Sequence, residues 1–209
     1  MVKHTDVARS ASVQLASPQH FELPELGGIS REQVEVHLKL YDGYVAALNG
    51  LRKLEADLSQ DVEKNALALD GAHRRCAFEF NGARMHELYF RQWEHKAAGL
   101  APGGILGTAL TQQYGSTAAW EEEFRTVAKT RGIGWTVLHY DREQDLFLNV
   151  WVDEHHIGQH AGVPIVLAMD MWEHAYMVDY TPAEKADYVD AFFRNLNWSV
   201  MEGRFAKLR

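Results

Sequence analysis

Between Val34 and Leu51 the large side chains fall at Val34, His37, Tyr41, Tyr44, Leu48 and Leu51, in steps of three and four that place them on one face of a helix. The other face carries Arg31, Glu32, Glu35, Lys39, Asp42, Arg52 and Lys53, so a helix over 31–58 must lay one side against protein. A second stripe runs from His73 to about Ala98 through Phe78, Gly82, Met85, His86, Tyr89 and Trp93, and GLAPGG at 99–104 stops it. Residues 59–72 are polar and mixed, a connection or a short helix. Two stripes of this length bury each other best as a long helical hairpin. Each contributes one histidine to the shared interior.

Beyond the hairpin, 105–131 reads as two shorter helices with Ser116 or Thr117 as cap of the second. The period then changes to that of strands: GWTVLHY at 134–140, a polar turn, LFLNVWV at 146–152, and a third apolar strand at 162–170. Two helices, 171–180 and 182–205, close the chain, the latter with Pro182 at its start. The fold expected is α+β: an N-terminal long helical hairpin followed by an α/β domain with a three-stranded antiparallel sheet. The organisation expected is a flexible leader over 1–20, a helical hairpin domain over 21–104 and a C-terminal α+β domain over 105–209.

With 209 residues the chain can bury a sizeable core, and a net charge of −8 without clustered cations argues against nucleic acid as a partner. One cysteine, Cys76, rules out an internal disulfide and a cysteine metal cluster. No stretch is apolar enough to span a membrane, and the first residues lack the apolar centre of a secretion signal, so a cytoplasmic protein is expected.

The segment DMWEH sets Asp170 and His174 four residues apart where an apolar strand meets a helix, so both side chains can converge on one point. Such a pair also serves as a cap or an ordinary hydrogen bond. His37 and His86, each on an apolar stripe among aromatics, read singly as buried histidines needing partners for both ring nitrogens. Taken together, the four make three imidazoles and a carboxylate, a donor set that suits zinc, iron or manganese and leaves room for a further ligand.

DMWEHAY (170–176), with FELPEL (21–26), YVAALN (44–49), NGARMHELYF (81–90), GIGWTVL (132–138) and NWSVMEGRF (197–205) in order, resembles the iron/manganese superoxide dismutases over about residues 21–205. The resemblance implies one iron or manganese ion per chain, iron ahead of manganese, held by His37, His86, Asp170 and His174. It implies Tyr44 as the phenol on the substrate path and Trp135 and Trp172 as aromatic walls. Glu173 would reach across a two-fold axis to His174 of a partner, making a homodimer, with a tetramer as the alternative. The substrate implied is superoxide, disproportionated to O2 and H2O2.

Several positions depart from the family pattern. The first ligand usually precedes the tyrosine by eight residues; His37 precedes Tyr44 by seven, which is nearly two turns of a straight helix, so an unbulged first helix is expected with His37 still the ligand. Leu40 and Met177 stand where the family often has a gateway histidine and tyrosine. Gly82 stands where some members carry the glutamine that contacts the solvent ligand, leaving His155, or alternatively His156, for that role. Trp93 reads as core packing. Lys185 is the nearest match to a basic residue that draws in the anion. Two other readings carry different expectations: a zinc hydrolase on the same ligands, and a dismutase-like structural protein with weak or no activity.

Overall fold

The computed structural model describes residues 13–209. Helix α1, Arg31–Leu58, starts where Ser30 Oγ accepts from Gln33 N, and it runs as α-helix without a bulge. Its buried residues are Gln33, His37, Tyr41, Val45 and Leu48, a straight stripe. A 3-10 turn over Ser59–Asp61 leads into α2, Val62–Phe90, whose start is capped by Asp61 accepting from Lys64 N. The second helix therefore begins at Val62 rather than His73 and ends at Phe90 rather than near Ala98. At its end the backbone finds partners elsewhere: Glu94 N donates to Asn195 O (2.8 Å) and Asn197 N to Gln92 O (2.9 Å). Those bonds replace the i→i−4 ladder on both segments.

Short helices α3, Ile105–Tyr114, and α4, Thr117–Ala128, follow, with Ser116 Oγ accepting from Ala119 N at the start of α4. Strands β1, Gly134–Asp141, β2, Leu146–Asp153, and β3, Ile165–Asp170, form an antiparallel sheet in the order β2-β1-β3. Trp135 lies opposite both Val152 and Asp170, so the last residue of β3 sits beside the start of β1.

The helix expected over 171–180 is only a 3-10 turn, Glu173–Ala175. Trp172 is extended (φ −68°, ψ 151°) and its N–H donates to Asp170 Oδ1 (2.9 Å), while the Gln33 amide ties down both His174 O and Val178 N. Side chains, not a helical ladder, hold this segment. The helix expected over 182–205 divides into α5, Lys185–Arg194, and α6, Trp198–Ala206, because residues 195–197 pair with 92–94. Pro182 does sit at a start, in a 3-10 turn where Thr181 and Glu184 cap each other.

The aromatic core of α4, α5 and α6 includes Trp120, Phe124, Phe192, Phe193 and Trp198. Trp93 is buried between Tyr89 and Phe192. Of the leader expected over 1–20, residues 1–12 lie outside the described residues; beyond them Ala16 exchanges two 2.8 Å hydrogen bonds with the Asn49 amide and Gln19 N donates to Tyr41 Oη. No helix among the described residues is long and apolar enough to cross a membrane.

Candidate metal centre

Two helices and one strand end meet where α1 offers His37, α2 offers His86, and the β3 terminus and following turn offer Asp170 and His174. One ligand-type atom from each of the four lies within 4.8 Å of the others. The Nε2 atoms of His37 and His174 are each 3.1 Å from Asp170 Oδ2, and His86 Nε2 is 3.5 Å away. His37, His86 and Asp170 are buried; the His174 side chain is 18% exposed.

The protonation of this cluster follows from its neighbours. His86 Nδ1 lies 2.6 Å from Gly82 O, a pure acceptor, so Nδ1 carries the hydrogen and Nε2 presents a lone pair to the cluster. That Nε2 is buried and has no hydrogen-bond partner. Burial holds both His37 and His86 below the ordinary imidazole pKa, so both stay neutral. Burial alone would raise the Asp170 carboxyl, but the His174 and His37 imidazoles beside it hold it well below the usual carboxylate range. The result is one buried carboxylate facing the neutral imidazoles of His37 and His86, with an orphaned lone pair aimed at the common centre. Donors about 2 Å from one ion stand roughly 3–4 Å apart, and the 3.1, 3.1 and 3.5 Å approaches of the three Nε2 atoms to Asp170 Oδ2 fall in that range, so the donor set suits a first-row transition metal.

Asp170 is itself held from behind. Tyr188 Oη donates to Asp170 O (2.8 Å), and the Tyr89 and Tyr188 hydroxyls lie 3.0 Å apart. Gln33, one turn before His37 on the same stripe, donates to His174 O (2.6 Å) and accepts from Val178 N (2.9 Å). Gln33 and Tyr188 were not singled out from the sequence; a glutamine on the buried stripe four residues before His37 was the available signal.

Beside the cluster stand the other predicted residues. Trp135 Nε1 donates to His155 Nδ1 (2.9 Å), so neutral His155 carries its hydrogen on Nε2 and donates it to Tyr44 Oη, 2.7 Å away. Tyr44 thus accepts from His155 and keeps its own hydroxyl hydrogen to give. Burial raises the Tyr44 pKa, so the phenol stays protonated in neutral solution, and burial lowers His155 to about 4. Trp172 stacks on His155 at 4.9 Å and on His174 at 5.6 Å, and its Nε1 donates to Glu154 O. His156 has its Nδ1 3.9 Å from Glu154 Oε2 and its ring 5.7 Å from Phe78. Glu173 is exposed beside His174.

Gly82 has a positive reason to be glycine. A Cβ there would lie 2.6 Å from Tyr44 Cδ1, so the phenol occupies the space a side chain would need. At the expected gateway positions Met177 is 47% exposed and Leu40 half-buried. Lys185 lies elsewhere: its Nζ donates to Thr130 O (3.0 Å) and sits over the Trp151 ring.

A family model described as iron/manganese superoxide dismutases, C-terminal domain, matches residues 102–204. Among curated proteins, the chain is 35% identical over 187 residues to a superoxide dismutase [Fe] of Saccharolobus solfataricus, covering 86% of each. It is 33% identical over 192 residues to a superoxide dismutase [Fe] of Cupriavidus metallidurans, covering 90% of this chain and 94% of that one. It is 34% identical over 166 residues to superoxide dismutase [Mn] 2 of Haloferax volcanii, covering 79% of this chain and 80% of that one.

Proposed function

The chain belongs to the iron/manganese superoxide dismutase family, and from that premise we propose that it disproportionates superoxide to O2 and H2O2 at one ion held by His37, His86, Asp170 and His174. The observation that carries the ligand assignment is the convergence of the three Nε2 atoms on Asp170 Oδ2, with His86 Nε2 buried and unpartnered. When bound, the ion supplies the one-electron exchange by alternating between its divalent and trivalent states.

The protein's own groups supply position and protons. Gly82 O fixes the His86 ring, and Tyr188 and Gln33 fix the backbone at Asp170 and His174. Trp135 fixes the His155 tautomer, and His155 in turn holds the Tyr44 hydroxyl as an acceptor. Tyr44 is then free to direct its own hydrogen toward the substrate side, and His155 Nε2–H stands behind it as the nearest replacement. Trp172 and Trp135 wall the site against water.

We place iron ahead of manganese, in line with the iron-named relatives at 35% and 33% identity. We further propose a homodimer in which Glu173 reaches His174 of the partner subunit, supported by the 18% exposure of the His174 side chain next to an exposed Glu173. The hairpin (21–104) and the remainder (105–209) serve as two domains sharing one site, since each contributes two of the four ligands. The lone free thiol of Cys76 agrees with a cytoplasmic setting.

The test is elemental analysis of the purified protein together with superoxide consumption followed by stopped flow. Near-stoichiometric iron or manganese with rapid consumption is expected. Full occupancy without consumption, or zinc alone, would overturn the reading. His37→Ala should lose the metal; full retention would remove His37 from the ligand set.

A further inference from the structure

The open side of the site is lined by Phe78, whose ring lies 4.6 Å from His155, 6.0 Å from Tyr44 and 6.4 Å from Trp172. Phe78 and Trp172 are half-buried, so this edge meets solvent. On the outer side of the same ring sits the Arg75 guanidinium, 4.1 Å from its centroid, with a side chain 56% exposed. Arg75 is the cation among the described residues whose charge reaches both Tyr44 and His155, lowering the Tyr44 pKa against the effect of burial and the His155 pKa in the same direction as burial. One turn further along α2, Glu79 is 5% exposed, and its carboxylate receives Arg75 at 2.6 Å.

A buried carboxylate this close to Tyr44 repels any anion approaching the phenol, and its charge does raise the Tyr44 pKa. Arg75 cancels that repulsion and places its own charge on the solvent side. The chain's net charge of −8 makes this local cancellation matter more, because the surrounding field opposes an anion. Lys185 does not share the task, being held at Thr130 O and Trp151. Glu154 adds a further negative charge beside His156.

We propose that the Arg75–Glu79 pair is the charge control on anion entry to this site, with Arg75 guiding the substrate past Phe78 and Glu79 setting how strongly it does so. The proposal rests on superoxide, a small anion, being the substrate.

The experiment uses metal-loaded full-length protein of matched metal content in four variants: Arg75→Gln, Arg75→Lys, Glu79→Gln and the double Arg75→Gln/Glu79→Gln. Stopped flow gives kcat and KM for superoxide, and separately the association rates of azide, a small anion, and nitric oxide, an uncharged diatomic, at low and high ionic strength. One charge at a partly exposed site shifts a steered rate by about 3- to 10-fold at low salt. Arg75→Gln should lower kcat/KM and azide association by about that factor, with kcat nearly unchanged and the loss shrinking in roughly 0.5 M salt. Glu79→Gln should raise both about 2- to 5-fold, the double variant should return close to the parent, and Arg75→Lys should keep most of the effect. Nitric oxide association should not follow the charges. Equal azide rates in parent and Arg75→Gln, or azide and nitric oxide falling together, would overturn the proposal, the second outcome pointing to disturbed packing of Phe78. Azide rates that follow the charges in a protein that does not consume superoxide would support the guide while retiring the dismutase reading.

Discussion

Replacing Gly82 with alanine sets two effects against each other, and the structure says which prevails. In an open helix the change stabilises by about 1 kcal/mol, because glycine is the more costly residue there. Here the new Cβ would stand 2.6 Å from Tyr44 Cδ1 and 2.9 Å from Cγ and Cε1. Comfortable carbon contacts are about 3.5–4.0 Å, so the ring must retreat by roughly 1 Å. Overpacking of this kind costs about 1–3 kcal/mol, leaving a net loss of about 1 kcal/mol and a Tm lower by about 2–4 °C for a chain of this size. The larger consequence is positional. A 1 Å retreat takes Tyr44 Oη beyond hydrogen-bond reach of His155 Nε2, now 2.7 Å away. Loss of such placement can lower turnover by about 10- to 100-fold. Metal content should hold, since Gly82 O still accepts from His86 Nδ1. Calorimetry, elemental analysis and superoxide consumption measure the three quantities. In a Tyr44→Ala background the same change should become stabilising by about 1 kcal/mol, because the obstructing ring is gone. If Gly82→Ala is stabilising in the parent with turnover unchanged, the steric reasoning is refuted.

Gln33→Leu removes the bonds to His174 O and Val178 N, and should cost about 2–3 kcal/mol and speed metal loss to a chelator several-fold, read by absorbance; an unchanged loss rate would deny Gln33 a positioning role. Tyr188→Phe leaves Asp170 O without its phenol donor and should lower stability by about 1–3 kcal/mol in thermal melts while metal still binds. The metal-free protein should lose stability as pH falls. His155, His37 and His86 are held below the ordinary 6.5 by burial, so between their folded values and 6.5 the unfolded chain binds more protons. Stability is complete above about 6.5 and declines through the window down to about 4 set by His155, by about 3 kcal/mol for that group alone. Urea titrations at stepped pH check the slope, and a flat profile would contradict the neutral buried imidazoles.

What could be read from the sequence is what local pattern encodes. The first helix was legible to both ends, because Ser30 is a cap and the stripe is continuous. The sheet was legible because β1 and β2 are bounded by a polar turn. The start of α2 was not: Val62 and Leu67 are 59% and 88% exposed and only Leu69 and Ala72 are buried before His73, too few to read as a stripe, although Asp61 was a cap in plain view. The break at 195–197 was invisible because it is caused by residues 92–94, a hundred positions earlier. Glu79 and Arg75 read as ordinary charges at helical spacing; only the packed hairpin shows that one is buried beside Tyr44 and the other faces solvent.

The His37 register shows how local geometry and a remote site constrain each other. Seven residues on a straight helix rotate the side chain by about 700°, nearly two full turns, so His37 and Tyr44 address the same interior without distortion of α1. The unbroken helix over Arg31–Leu58 and the 3.1 Å approach of His37 Nε2 to Asp170 agree with that count. A register using Val36 would turn a 41% exposed side chain inward and swing the imidazole out by about 100°. It would also remove Gln33 from His174 O, since both residues ride the same face. The shorter spacing is therefore not a defect in an otherwise ordinary pattern. It is matched by Gln33 below and Tyr44 above His37, and inserting one residue between His37 and Tyr44 should cost the metal site or force a bulge that restores the face.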